Sequence, residues 1–158
     1  MATPASVQKH PIHPMLVPFP IALWIFSLAC DVIYMMGWGG AVWNDMAFYS
    51  MMGGVLGALL AAIPGYLDYR SLSEPGVKRI GKWHMIINLS TVVLFAINLW
   101  LRMGSEPGVM LPVGLSIIGV AMLGISGWLG GELVYVHGVA VEPRTESAAF
   151  KKDRSRIA

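Results

Sequence analysis

Four stretches of this chain are nearly free of charge and long enough to cross the hydrocarbon core of a membrane, which takes about 20 apolar residues as a helix. From Pro14 to Asn44 the only charged side chain is Asp31. Met46 to Leu67 has none, Trp83 to Leu101 lies uncharged between Lys82 and Arg102, and Pro107 to Gly131 is uncharged up to Glu132. The second stretch spans roughly 33 Å as a helix. Barrel strands would be shorter and would alternate in polarity, which these do not. Only 13% of the residues are charged and 56% are hydrophobic. A soluble domain carries about 25% charge, so a water-soluble enzyme and a disordered chain are both excluded.

The expectation is an all-α integral membrane four-helix bundle, up-down-up-down, in one domain over 1–141, with a polar basic tail over 142–158. The spans are expected near 14–37, 46–68, 82–103 and 108–137. Four crossings put both termini on one side. That side holds Lys9, Arg70, Lys78, Arg79, Lys82, Arg144, Lys151, Lys152, Arg154 and Arg156, every basic residue of the 11 except Arg102. The excess of lysine and arginine marks the cytoplasmic side, so the termini are expected in the cytoplasm and the protein in a bacterial inner membrane. Lys9 followed by an apolar stretch imitates a signal peptide, and Ser27-Leu28-Ala29-Cys30 imitates a lipoprotein cleavage box. Ser27 stands where a large aliphatic is required, and Pro14, Pro18 and Pro20 interrupt the segment, so the first span is read as retained. No repeat of 20–50 residues is legible in the sequence.

Small residues recur every four positions in the second span, at Gly53, Gly57, Ala61 and Gly65, beside a row of Gly54, Ala58 and Ala62. The fourth span has Gly127-x-x-x-Gly131 and Ser126-x-x-x-Gly130. Such rows let membrane helices approach closely, and helix packing is their expected role; clearing space for a flat cofactor is the other. Proline is best tolerated in a first turn. Regular helix is therefore expected to begin near Pro18 or Pro20, with His10-Pro11-Ile12-His13-Pro14 extended or kinked at the interface.

The chain has 4 histidines, His10, His13, His84 and His137, and crossing by crossing all of them fall at the cytoplasmic end. Asp68 closes the second span and Glu132 the fourth at the same level. Imidazole binds haem iron, copper, zinc and non-haem iron, and bundles build such sites from facing helices. His13, His84 and His137 are the candidate ligands of haem b, with His10 outermost. The same histidines with Asp68 or Glu132 form the alternative, a site for a non-haem transition metal. Asp68 and Glu132 are otherwise candidates to accept the second ring N–H of a ligating histidine. The plain alternative is that the histidines face water and headgroups.

In the third span His84, Asn88, Thr91, Phe95, Asn98 and Arg102 share one helical face. A polar stripe in a membrane helix belongs in the bundle interior. The first span has a comparable face of His13, Val17, Pro20, Trp24, Ser27, Asp31 and Tyr34. Asp31 lies toward the opposite end from the histidines. It is expected either to bond Asn98 or pair with Arg102, or to serve a proton or ligand role. One cysteine, Cys30, excludes an internal disulfide and Cys-rich metal sites. There is no nucleophile triad, phosphate loop, haem-attachment motif or nucleic-acid motif, and the net charge of +2 gives no reason to expect nucleic acid.

The opening His10-Pro11-Ile12-His13-Pro14, the Ala62-Ile63-Pro64-Gly65-Tyr66-Leu67-Asp68 close of the second span, and Gly130-Gly131-Glu132-Leu133-Val134-Tyr135-Val136-His137-Gly138 together resemble a bacterial family of small four-helix membrane proteins with a domain of unknown function. The resemblance runs over residues 9–141. It implies four spans and no established activity, and its members are sometimes joined to Rieske-type iron–sulfur or other redox domains. That association favours electron transfer and assigns no residue a role. The expected function is a haem b electron-transfer protein. Its expected partners are the lipid bilayer, a quinone or separate redox protein, and a second copy in a homo-oligomer. A metal-binding membrane protein or a non-catalytic scaffold is the alternative.

Overall fold

A computed structural model describes residues 4–8, 10–104 and 110–141. Lys9, Lys151 and the expected tail over 142–158 lie outside the described residues. The chain opens with a short antiparallel hairpin, β1 (Ser6–Val7) against β2 (His10–Pro11). Two helical pieces follow, α1 (Ile12–Leu16) and α2 (Pro18–Met35), joined at Val17, whose backbone is itself helical. The long helix α2 thus begins at Pro18, as the prolines suggested, but a further helical turn, Ile12–Leu16, precedes it; only His10 and Pro11 of the five-residue opening are extended. The reason is that Pro14 sits in the first turn, where an N–H has no acceptor within the helix. The N–H of Val17 still reaches the carbonyl of His13 at 3.1 Å, and that of Ile21 reaches Val17 at 3.4 Å.

A turn in which Gly37 and Gly39 adopt positive φ of 74° and 77° leads into α3 (Val42–Ser71). Next come α4 (Pro75–Met103) and α5 (Met110–Gly131), the latter continuing as a π-helical turn, Glu132–Val136. Pro75 opens α4 and Glu74 caps it, its carboxylate accepting from the N–H groups of Gly76 (3.0 Å) and Val77 (2.9 Å). Those two bonds, helped by the charge of nearby His137, hold the Glu74 carboxyl below its ordinary range.

The long helices pack as an all-α four-helix bundle, each against its two neighbours in the order α2, α3, α4, α5 and back to α2. The four candidate membrane spans are Ile12–Met35, Val42–Ser71, Pro75–Met103 and Met110–Val136. The exterior is inside-out relative to a soluble protein: Leu56, Leu60, Ile63, Val93, Ile117 and Ile125 are all exposed, a surface suited to lipid. Exposed Tyr66, Trp83, Trp128 and Tyr135 girdle one end, and Trp38, Tyr49 and Trp100 the other. Aromatic residues gather at membrane interfaces, and Trp83 and Trp100 are about 26 Å apart along α4.

The middle of the core takes one large side chain from each long helix: Trp24, Met51, Phe95 and Leu123. Trp24 and Phe95 stack, ring centroids 4.3 Å apart and nearly parallel. The stack needs glycines behind it. A Cβ on Gly54 would lie 2.5 Å from the Trp24 indole, and one on Gly119 would lie 2.6 Å from the Phe95 ring. The α3 rows therefore serve as the bed for the first span, as expected: Gly53 faces Leu23, Gly57 faces Pro20 and Gly65 faces His13. The α5 rows divide. Gly130 faces His84, whereas Gly127 meets nothing within 4 Å and Gly131 meets only its own helix's Tyr135. The Gly127/Gly131 row thus meets no other helix among the described residues.

A repeat invisible in the sequence emerges from these contacts. The steps from His13 to Trp24, Ser27 and Asp31 on α1–α2 equal those from His84 to Phe95, Asn98 and Arg102 on α4. The steps from Ala47 to Gly54, Ala61 and Gly65 on α3 equal those from Pro112 to Gly119, Ser126 and Gly130 on α5. Ser27 Oγ donates to the Ala47 carbonyl at 2.7 Å, and Asn98 Nδ2 donates to the Pro112 carbonyl at 2.8 Å. Corresponding residues also meet each other: His13 with His84, Trp24 with Phe95, and Asp31 with Arg102. The bundle is thus two helical hairpins related by a pseudo-twofold axis along its length. The repeat is hidden because five of these eight matched pairs differ in residue type; His13 with His84, Gly54 with Gly119 and Gly65 with Gly130 are alike, and the histidines are the alike pair that meets on the axis.

Candidate functional site

At the end of the bundle where α1 begins and α3 ends, the rings of His13 and His84 meet edge to face, centroids 6.3 Å apart and planes at 86°. Each ring is tied to the neighbouring helix of its own hairpin. His13 Nδ1 lies 2.8 Å from the Ala61 carbonyl and His84 Nδ1 lies 2.9 Å from the Ser126 carbonyl. A carbonyl can only accept, so both Nδ1 atoms carry a proton, and in a neutral ring that leaves the lone pair on Nε2. The carbonyls are reachable because glycine stands one turn further on. A Cβ on Gly65 would be 2.6 Å from His13 Nδ1, and one on Gly130 would be 3.1 Å from His84 Cε1. Both rings are half-buried.

The polar stripe of α4 does turn inward. Asn88 Nδ2 donates to the His84 carbonyl at 2.9 Å and stands 3.1 Å from His84 Nε2. Ser126 Oγ lies 3.1 Å from His84 Nδ1. The other two histidines do not join. His10 is exposed on the hairpin, its Nδ1 donating to the Gln8 carbonyl at 2.9 Å. His137 ends the π-helical turn with its backbone N–H on the Glu132 carbonyl at 3.2 Å, and its ring is exposed. Of the four histidines expected at one end, at least two of them at a shared centre, the structure brings His13 and His84 together and leaves His10 and His137 exposed. Gly138, with φ of 62°, ends the turn before the His137 ring can turn back over the bundle.

The acids also sit differently from expectation. Neither His13 nor His84 gives its Nδ1 proton to Asp68 or Glu132. Asp68 is buried at the end of α3, where its Oδ1 accepts from the backbone N–H of Ala5 at 3.2 Å. Glu132 is half-buried in the first residue of the π-helical turn. Among the described residues no three His, Cys, Asp or Glu side chains gather closely enough to hold a metal ion.

The opposite end of the axis carries Asp31 and Arg102. The guanidinium grips the carboxylate with both nitrogens, Nη1 to Oδ1 at 2.8 Å and Nη2 to Oδ2 at 2.6 Å. Arg102 Nε donates to Asn98 Oδ1 at 3.2 Å, and Asn98 Nδ2 in turn donates to Ser116 Oγ at 2.9 Å. Of the roles open to Asp31, the structure assigns the pair with Arg102; Asn98 is reached through the arginine. The sequence reading missed the carbonyls of Ala61 and Ser126 and the donor at Ala5. Of these, only the Ser126-x-x-x-Gly130 row carried a signal, and it was read as packing.

The fold and the axial histidine pair define a small polytopic membrane protein of the four-helix class. The chain belongs to the family described as predicted membrane protein (DUF2231), whose model matches residues 9–143. No curated protein and no solved structure matches it.

Proposed function

We propose that the protein binds haem b between His13 and His84 and passes electrons within the membrane. The observation that carries this reading is the pair itself: two imidazoles from different hairpins, corresponding residues on the pseudo-twofold axis, each with Nδ1 fixed on a carbonyl. Ligating histidines have this arrangement, one nitrogen oriented by a hydrogen bond and the other free to donate its lone pair. Two equivalent imidazoles are the kind of donor set that would hold the iron of one haem. A structural zinc site takes four protein ligands, and no third His, Cys, Asp or Glu stands by this pair among the described residues, which disfavours the non-haem alternative.

His13 and His84 would hold the group, and haem would supply a one-electron couple. Asn88 Nδ2, now beside His84 Nε2, would have to give up that contact. Trp83, exposed next to His84, marks the headgroup level, where a quinone or a separate redox protein can exchange electrons with a shallow centre. The basic residues favour this end facing the cytoplasm of a bacterial cell, with the protein in the inner membrane. Reporter fusions after Ala158 and within Gly37–Asn44 test that orientation; a periplasmic carboxyl terminus overturns it.

The deciding experiment is the absorption spectrum of protein purified from cells supplied with a haem precursor. A Soret band that His13→Ala and His84→Ala each abolish, and His10→Ala leaves, is the expected result. Folded wild-type protein that stays colourless, and gains no Soret band on titration with haemin, rules the reading out.

A further inference from the structure

The two halves of the repeat differ most just before their histidines. His84 is preceded by the first turns of its own helix, Pro75–Trp83, which Glu74 caps. Val77 and Gly81 in those turns are buried, and a Cβ on Gly81 would be 2.8 Å from Leu72. His84 is therefore held by rigid helix on both sides. His13 is the second residue of α1 and has no preceding turn. In place of those turns stands the hairpin of β1 and β2. It folds back so that the Ile12 N–H reaches the Ala5 carbonyl at 3.0 Å. The Ala5 N–H in turn reaches Asp68 Oδ1 at 3.2 Å, and Ala5 is buried. Asp68 lies one turn beyond Gly65, the residue against which the His13 ring is seated.

We propose that Asp68 is the positioning residue for His13, holding it through an amino-terminal strap that runs Asp68 to Ala5 to Ile12 and so to His13. This rests on the reading of His13 and His84 as a ligand pair. The carboxylate acts on the backbone that leads into the ring, whereas His84 needs no such device. A charged acceptor on a buried amide is among the stronger hydrogen bonds, and a helix's first turn frays unless something ties it down. His13 is thus the ligand whose placement depends on the strap, and His84 the ligand that stays.

The test uses full-length protein labelled with nitrogen-15 at histidine in detergent micelles, following exchange of the His13 and His84 Nδ1 protons. In Asp68→Leu the His13 proton is expected to exchange at least about tenfold faster, with His84 unchanged. Asp68→Asn, which keeps an oxygen acceptor for Ala5, should restore most of the protection. Ala5→Pro removes the donor without touching the bundle and should reproduce Asp68→Leu; it decides the matter if Asp68→Leu does not fold. Unaltered His13 exchange in Ala5→Pro, or equal loss at His84, overturns the proposal. A wild-type protein that takes no haem sinks the ligand reading but leaves this exchange experiment standing, while a red protein with an indifferent strap sinks only the strap.

Discussion

The two ends of the pseudo-twofold axis hold corresponding residues and treat them in opposite ways. At one end Asp31 and Arg102 complement each other, and both carboxylate oxygens and all three guanidinium nitrogens find partners within the bundle. At the other end the corresponding residues are identical, and two half-buried imidazoles cannot neutralise one another. They turn Nδ1 to separate carbonyls, and of the two Nε2 atoms that of His84 stands 3.1 Å from Asn88 Nδ2. A buried ion pair in hydrocarbon is costly unless complete, so the first end is built to stay shut. The second is the end at which a ligand is proposed to bind. Symmetry equivalence alone therefore does not assign a role; the chemical difference between the ends does.

The largest effect should come from breaking the closed end. Arg102→Leu leaves Asp31 buried and unpaired, and should cost about 3–5 kcal/mol. Thermal unfolding in detergent reads this directly. The exchange Asp31→Arg with Arg102→Asp should recover most of the loss, since the positions correspond across the axis. A double variant no better than the single ones would argue against that correspondence.

Next is the middle layer that joins the ends. Gly54→Leu drives a side chain into the Trp24 indole and Gly57→Leu drives one toward Pro20, where the space is larger. Overpacking costs about 1–3 kcal/mol, with Gly54 the worse. Gly127→Leu, with nothing within 4 Å, should leave the monomer's melting temperature unchanged; a fall there would mean that this face packs against something in the membrane.

Smaller in stability, and larger in spectrum, are changes at the open end. His84→Ala removes a ring anchored to Ser126 and should cost about 1 kcal/mol or so for the hydrogen bond, well below the loss in Arg102→Leu. If the histidine end proves as costly to break as the ion pair, it is structural and the contrast between the ends disappears.

The smallest effect is a pH dependence outside the membrane. Glu74 has its carboxyl held below the ordinary value of 4.5 by the amides of Val77 and Gly76, with help from His137. A lowered folded-state value means the cap's contribution is full above the ordinary carboxylate range and is lost as pH falls through the lowered one. Glu74→Gln should therefore show a shallower loss of melting temperature between about pH 7 and pH 3 than the wild type. Parallel curves would assign that acid sensitivity to other groups.

The architecture was legible because lipid imposes it: uncharged stretches of sufficient length leave the backbone no choice but helix, and short connections make neighbours antiparallel. The inward face of α4 was legible for a related reason, since Asn88, Thr91 and Asn98 have no acceptable place against lipid. The long helix of the first span begins at Pro18, where its prolines place it, but the turn Ile12–Leu16 before it was not legible, because proline reports only on its own missing N–H, and in a first turn that N–H is never needed.

What sequence determined by itself was thus helices, their number and the inward faces of α2 and α4. Tertiary structure alone decided which of the histidines meet, that Asp31 ends on Arg102, and that the chain is a repeat. Those depend on relations across the axis between residues far apart in sequence. Contact at the axis sets an acid against a base and an indole against a phenyl ring, and that divergence, with only the histidines and two glycine pairs kept alike among the contacts named, obscures the similarity by which a repeat could be read.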